Sequence, residues 1–227
     1  MRTARSATCC GCPAPTADVA GTDWRAWHAD YADPASALSQ RLAVVQAQIA
    51  WWLDRTQPRP VVVTSVCAGD GRDLLDVLAG RPDAARVTAT LVELDADLAA
   101  AAASAAADLP GVSVRCADAG STDAYAGCAP ADLLLLCGVL GNVSEEDAAS
   151  TIAALPGLCA PEATVVWTRH RREPDLTPAI RSWFTAAGFA EESFTAPDDR
   201  IWSVGVHRLI GPPQPLGQRG RFFTFVR

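Results

Sequence analysis

The sequence predicts an α/β fold: a mostly parallel, doubly wound sheet of about seven strands with helices on both faces and an N-terminal helical cap. Three observations predict it. From Val61 onward, short apolar runs alternate with helical stretches, the sequence form of successive βαβ units. The run Leu133-Leu134-Leu135-Leu136 is continuous rather than alternating, as a central strand buried on both faces requires. Hydrophobic residues make up 49% of the 227 residues and charged residues 20%, which suits one core rather than several.

Residues 1–22 are rich in Ala, Thr, Cys and Pro without apolar periodicity and are expected to be a disordered leader. Residues 23–58 are expected to form the helical cap and residues 59–227 the sheet domain. In the cap, Asp33 reads as an N-cap with Pro34 at the first helical position. Leu38, Leu42, Val45, Ile49 and Trp52 then recur at helical spacing up to Arg55, before Pro58 and Pro60 stop the helix. The first strand is 61–66, followed by a glycine turn and a helix over 72–78. The second strand, 87–92, leads into an Ala-rich helix containing 99–103 and 105–107, and Pro110-Gly111 turns the chain into a third strand, 112–116. The fourth strand is 131–137. Ser144, with Asp147 three residues on, resembles a capping box and opens the next helix. A fifth strand covers 163–168, and Thr177-Pro178 starts a helix that closes at Gly188. Three strand-like stretches follow, 189–195, 202–209 and 221–226, of which two are expected to complete the sheet. Trp51, Trp52, Trp183, Trp202 and His207 read as packing residues.

Composition excludes several classes of function. A formal net charge of −7 argues against nucleic acid as partner, since phosphate backbones attract basic surfaces. All 19 positive residues are Arg, so lysine Schiff-base chemistry and a phosphate-loop lysine are excluded. Of the 8 Cys, five stand singly in apolar or small-residue runs, as reduced thiols do, and the remaining Cys9, Cys10 and Cys12 lack a second pair at zinc spacing. No metal site is expected. No apolar run reaches the roughly 20 residues of a membrane span, and no hydrophobic stretch follows Arg2 and Arg5 as a secretory signal would require. A cytoplasmic protein without membrane partners is the expectation.

The informative stretch runs from the first strand into Cys67-Ala68-Gly69-Asp70-Gly71. Glycines at a strand-to-helix turn let a ligand touch the backbone, and free N–H groups at a helix start favour carboxylate or phosphate. Glu93 follows at the tip of the second strand, twenty-two residues beyond Gly71, where an acid can accept both hydroxyls of a ribose. Asp118 lies just past the third strand, where a carboxylate can receive an adenine amino group. Three such positions on the carboxyl edge of one sheet make a nucleoside-sized crevice.

With these motifs, residues 61–188 resemble the class I S-adenosylmethionine-dependent methyltransferases, which have a Rossmann-like sheet. The resemblance implies that Ala68, Gly69, Asp70 and Gly71 line the methionine part of that cofactor. It further implies Glu93 at the ribose, Leu94, Asp118 and Ala119 at the adenine, and Cys137 with Gly138 as the floor beside the sulfonium. The string from Leu136 to Asn142, with Trp167 to Arg172, is similar to a little-characterised actinobacterial group of such enzymes. Two departures stand out: Ser65 takes the place of the family's acid, and Cys67 that of its first glycine. A dinucleotide site would want a third glycine where Leu74 stands.

On the acceptor side, His170 follows the fifth strand and is the candidate general base; the plainer reading is that it caps a helix. Arg169 and Arg171, with Arg172, form a basic cluster able to hold an acidic substrate or to pair with Glu173 and Asp175. Trp27, His28 and Tyr31, with Trp24, are candidates for an aromatic lid over substrate, or merely anchor that segment, and Asn142 is a candidate contact from the loop after the fourth strand. The expected reaction is methyl transfer to O, N or S of a small metabolite, an acidic one if the Arg cluster faces it. The alternatives are a non-methylating use of the same cofactor, such as aminopropyl transfer or cyclisation, and a non-catalytic nucleoside-binding module.

Overall fold

A computed structural model of the chain describes residues 30–56, 58–128, 130–216 and 220–226. The leader with Cys9, Cys10 and Cys12, and the lid candidates Trp24, Trp27 and His28, lie outside the described residues.

Seven strands form one sheet in the order β3-β2-β1-β4-β5-β7-β6. They are β1 (Val61–Val66), β2 (Val87–Glu93), β3 (Val112–Cys116), β4 (Ala131–Leu136), β5 (Cys159–His170), β6 (Phe189–Thr195) and β7 (Trp202–Leu209). The first five run parallel; β7 is antiparallel to both β5 and β6. The helices are α1 (Ala37–Arg55), α2 (Arg72–Ala79), α3 (Ala96–Ala105), α4 (Glu145–Ala154) and α5 (Thr177–Ala186).

The alternation of side chains along a strand divides the sheet into two cores. Leu134 and Leu136 join Trp167, Ile180 and Phe184 on the face covered by α4 and α5. Leu133 and Leu135 join Ile49, Leu53, Leu74 and Val204 on the face covered by α1 and α2. All four leucines of β4 are at most 1% exposed, so the strand is buried on both faces. Val45, Ile49 and Leu53 of α1 belong to the second core, which makes the N-terminal helix part of the sheet's packing.

Several boundaries differ from expectation. Helix α1 starts at Ala37 with Ser36 as N-cap, its hydroxyl accepting from Ser39 N at 3.1 Å; Asp33 instead accepts from Ala35 N and forms a turn ahead of the helix. Helix α3 ends at Ala105. Helix α5 is held at its start by Asp175, whose Oδ1 accepts from both the N–H and the hydroxyl of Thr177. Strand β5 begins at Cys159 and keeps Pro161 by way of a register shift and a positive φ of 63° at Glu162. Residues 221–226 add no strand: their only β pairing is two isolated bridges, Ser121 with Arg221 and Val143 with Phe225. Trp51 is 45% exposed and lies beneath the Arg55 guanidinium rather than in the core.

His207 is fully buried on β7, where its Nδ1 accepts from Trp167 Nε1 at 3.0 Å and Phe184 stacks on the ring. Burial pushes its pKa down to about 4; Glu191, 3.6 Å from Nε2, opposes this, and Arg181 adds to it. The unfolded chain therefore takes up a proton near pH 6.5 that the folded chain refuses until about pH 4. His207→Gln is expected to cost stability at pH 7, with the gap to wild type narrowing by about 1.4 kcal/mol per unit as pH falls from 6.5 towards 4. Denaturant melts of both proteins at pH 7, 5.5 and 4.5 measure it; a constant gap contradicts a neutral buried imidazole.

Candidate functional site

The strand order reverses between β1 and β4, the place where an open α/β sheet leaves a crevice beyond its carboxyl edge. The turn from β1 into α2 passes through left-handed backbone at Cys67, Gly69 and Gly71, with φ of 54°, 59° and 75°. Glu93 stitches this turn to the next one: Oε2 accepts from Gly69 N at 2.7 Å and Oε1 from Asp95 N at 2.8 Å. Asp95 in turn caps α3 through the N–H groups of Asp97 and Leu98. Past β3, Asp118 Oδ1 accepts from Gly120 N at 2.8 Å, and Oδ2 pairs with Arg221 at 2.6 Å. At the tip of β4, the Gly138 N–H donates to Thr168 Oγ1 at 2.9 Å while the Asn142 amide donates to Gly138 O at 2.6 Å.

These turns enclose a cavity of about 320 Å³, lined by Ala68, Gly69, Asp70, Glu93, Leu94, Asp118, Ala119, Cys137 and Gly138, with Tyr31 on the far wall. Leu94, at 56% exposure, is an apolar surface left uncovered at its mouth. Gly71 does not line the cavity; it faces the core, where an added Cβ would sit 2.6 Å from Leu91 and 2.7 Å from Leu75. Ser65 is buried in β1 and contributes nothing to the lining.

The cavity also holds residues that the motif reading passed over: Arg41 from α1, Arg72 and Asp73 from α2, Thr168 from β5, and Phe225. Arg72 is clasped by the Asp70 carboxylate and lies 4.3 Å above the Tyr31 ring. Burial raises the Tyr31 phenol, an effect opposed by Arg41, which hydrogen-bonds it. Burial also drives the Cys67 and Cys137 thiols up, so neither is a thiolate nucleophile near neutral pH.

A second cavity of about 340 Å³ adjoins the first, sharing Arg41, Gly138 and Thr168 with it. Asn142, Arg169, His170 and Arg172 line it. Arg169 is 7% exposed and donates to Leu140 O, a buried guanidinium held against the end of β5. His170 Nδ1 accepts from Arg172 N at 3.3 Å, which in a neutral ring leaves the proton on Nε2, and Nε2 is buried beside Gly141. The ring lines the second cavity, with Nδ1 engaged by the Arg172 N–H. Arg171 lines neither cavity, because Ala196 O, Pro197 O and Asp175 take its guanidinium.

Solved structures share this fold. A 1,6-didemethyltoxoflavin-N1-methyltransferase from Burkholderia thailandensis, with its acceptor and S-adenosylhomocysteine bound, superposes with a TM-score of 0.61 at 18% identity over 88% of this chain and 93% of that one. Magnesium protoporphyrin IX methyltransferase from Synechocystis PCC 6803, bound to S-adenosylmethionine, gives 0.61 at 14% identity over 83% and 91%. A TehB-like methyltransferase from Corynebacterium glutamicum gives 0.53 at 17% identity over 77% and 98%. This is the class I S-adenosylmethionine-dependent methyltransferase fold. No family model and no curated protein matches the chain in sequence.

Within that methyltransferase fold, the site turn carries Cys67 in left-handed backbone, where a side chain costs about 1–2 kcal/mol. Cys67→Gly is expected to keep stability within about 1 kcal/mol, relief of strain offsetting the looser unfolded chain. Cys67→Val, β-branched and therefore poorer at positive φ, is expected to lose about 2 kcal/mol. Urea melts of the pair measure the contrast, and equal losses contradict strain at this position.

Proposed function

We propose that this chain transfers a methyl group from S-adenosylmethionine to a small acceptor that carries a negative charge. The observation behind this reading is the pair of contiguous cavities, one ringed by the turns that suit a nucleoside, the other bordered by Arg41, Arg169 and Arg172. The residues fit the cofactor. Glu93 reaches the ribose, Asp118 and Ala119 the adenine, and Gly138, whose Cβ position has nothing within 4 Å, leaves the shared floor open for the reacting centre.

When bound, S-adenosylmethionine supplies an electrophilic methyl group on a sulfonium. The chain's own work is alignment: guanidiniums fix the acceptor's carboxylate, Thr168 and Asn142 hold the Gly138 turn, and the half-buried wall of Tyr31 keeps water out. Alignment of two reactants is worth about 7–11 kcal/mol of barrier. Because the Arg172 N–H engages His170 Nδ1, the reading favours an acceptor whose nucleophilic atom is already anionic over one that must lose a proton.

Incubation with labelled S-adenosylmethionine and sets of acidic, neutral and basic small metabolites tests the proposal. Label is expected in the acidic set, with S-adenosylhomocysteine as the other product; methylthioadenosine instead would mark aminopropyl transfer or cyclisation. Arg172→Ala is expected to raise the acceptor KM about tenfold, the worth of one charge-assisted contact, without changing cofactor affinity. An unchanged KM would reject Arg172 as an acceptor contact.

A further inference from the structure

Trp202 carries an unused donor beside the second cavity. It opens β7 directly opposite His170 of β5, so the two side chains leave the sheet together on the face that α1 covers. Both line the second cavity. Trp202 is 6% exposed, and its Nε1 is buried with no hydrogen-bond partner among the described residues. The indole of Trp167 is treated differently, its Nε1 donating to His207 Nδ1 at 3.0 Å. A buried indole N–H without a partner is costly, and a phenylalanine would serve packing alone without that cost.

The other walls divide by chemistry. Leu38 of α1 and Ile201 are apolar, and Ile201, 49% exposed, leaves a large aliphatic surface uncovered. Arg172 is exposed and makes no ion pair among the described residues, so it supplies a positive charge to spend on an occupant. At about 340 Å³ the space stands at the small end of ligand pockets, which suits a ring or two rather than a large conjugate. Two aromatic side chains at a sheet edge beneath a helix offer flat surfaces, against which a planar ring packs better than a puckered one. An indole N–H only donates, so the ligand atom that meets it must accept.

We infer that the second cavity takes an aromatic acid whose ring bears a hydrogen-bond acceptor: Arg172 holds the carboxylate, Leu38 and Ile201 pack on the ring, and Trp202 Nε1 donates to the ring acceptor. This narrows the proposed function and rests on it, since the acidic metabolite becomes a planar one with a second polar atom. Trp202 is then a specificity-determining residue. It selects among acids of one charge and one shape by the atom that completes its hydrogen bond, and an acid without that atom leaves the indole N–H unpaired.

The test titrates six probes by calorimetry into the full chain saturated with S-adenosylhomocysteine, at a pH where pyridine nitrogens are unprotonated. The probes are benzoate, the three pyridinecarboxylates, cyclohexanecarboxylate and benzamide. Each pyridinecarboxylate replaces one ring CH of benzoate with an acceptor nitrogen, at successive positions. Wild type is expected to bind benzoate about fivefold or more tighter than cyclohexanecarboxylate, which is not flat, and benzamide, which is not charged. One pyridinecarboxylate is expected to bind about threefold or more tighter than benzoate, and Trp202→Phe to erase that gain while leaving benzoate within about threefold. Should Trp202→Phe fail to fold, the wild-type rankings alone decide. Cyclohexanecarboxylate or benzamide binding as tightly as benzoate, no pyridinecarboxylate surpassing it, no aromatic acid binding at all, or a gain that survives in Trp202→Phe would each overturn the inference. Labelled methyl entering acidic metabolites that lack a ring would then leave the proposed function standing, whereas a chain that does not bind S-adenosylhomocysteine removes both.

Discussion

Glu93→Ala is expected to abolish calorimetrically detectable binding of S-adenosylhomocysteine and to lower stability by about 2–4 kcal/mol. The two effects share one cause. The carboxylate sits between two turns and accepts from Gly69 N and Asp95 N, so its removal leaves two buried N–H groups without partners, each costing about 1–3 kcal/mol before relaxation. It also removes the acceptor proposed for the ribose hydroxyls and frees the glycine turn to move. Glu93→Gln discriminates between the roles. Its amide oxygen keeps one of the two backbone bonds, so stability is expected to fall by about half as much, while affinity still falls at least tenfold. A chain that keeps wild-type affinity as Glu93→Ala would refute the placement of the ribose.

Gly71→Ala is expected to destabilise the chain by about 2–5 kcal/mol, the sum of strain at positive φ and of overpacking. The backbone there has φ of 75°, and the new methyl group would meet Leu91 at 2.6 Å and Leu75 at 2.7 Å. Both leucines are at most 3% exposed and have no free volume to move into. Gly138→Ala is the control. It has nearly the same φ, 76°, but no atom within 4 Å, so it carries the strain of about 1–2 kcal/mol without the clash. Equal melting temperatures for the two variants would show that packing against β2 is not what fixes Gly71.

The sheet was legible because its evidence is periodic. The apolar runs of β1 to β4 are bounded by Gly and Pro, and Ser144 caps α4 through Asp147 N as its spacing implies. The start of α1 was misread because Asp33-Pro34 and Ser36 are equally good caps in isolation; Ser36 wins because Asp33 closes on Ala35 instead. Residues 221–226 carry strand-forming side chains, yet no sheet edge is available beside them, so the pattern gives only bridges. In the crevice, the glycines and the acids at 93 and 118 could be found from their places after strands. Arg41, Asp73 and Thr168 could not, because each reaches the cavity from an element whose own pattern is ordinary; only the fold brings them together. For Asp73 one signal existed, an acid in the first turn of α2 directly ahead of two buried leucines, Leu74 and Leu75. Arg171 and Arg169 look alike in sequence, and a local competitor, Asp175 with the carbonyls of 196 and 197, draws only the first away.

The segment 220–226 ties down the cavity rim at Asp118 from far along the chain. Arg221 holds Asp118, Phe222 N bonds Gly120 O, Thr224 N bonds Asp147, Val226 N bonds Asn142 O, and Phe225 enters the cavity. None of these hydrogen bonds belongs to the seven-stranded sheet, yet the same segment places Phe222 and Phe223 in the core beside Tyr125, so the cavity rim and the core share it. Cleavage in the exposed Pro212-Pro213 connection would therefore loosen both at once, lowering the melting temperature together with ligand affinity.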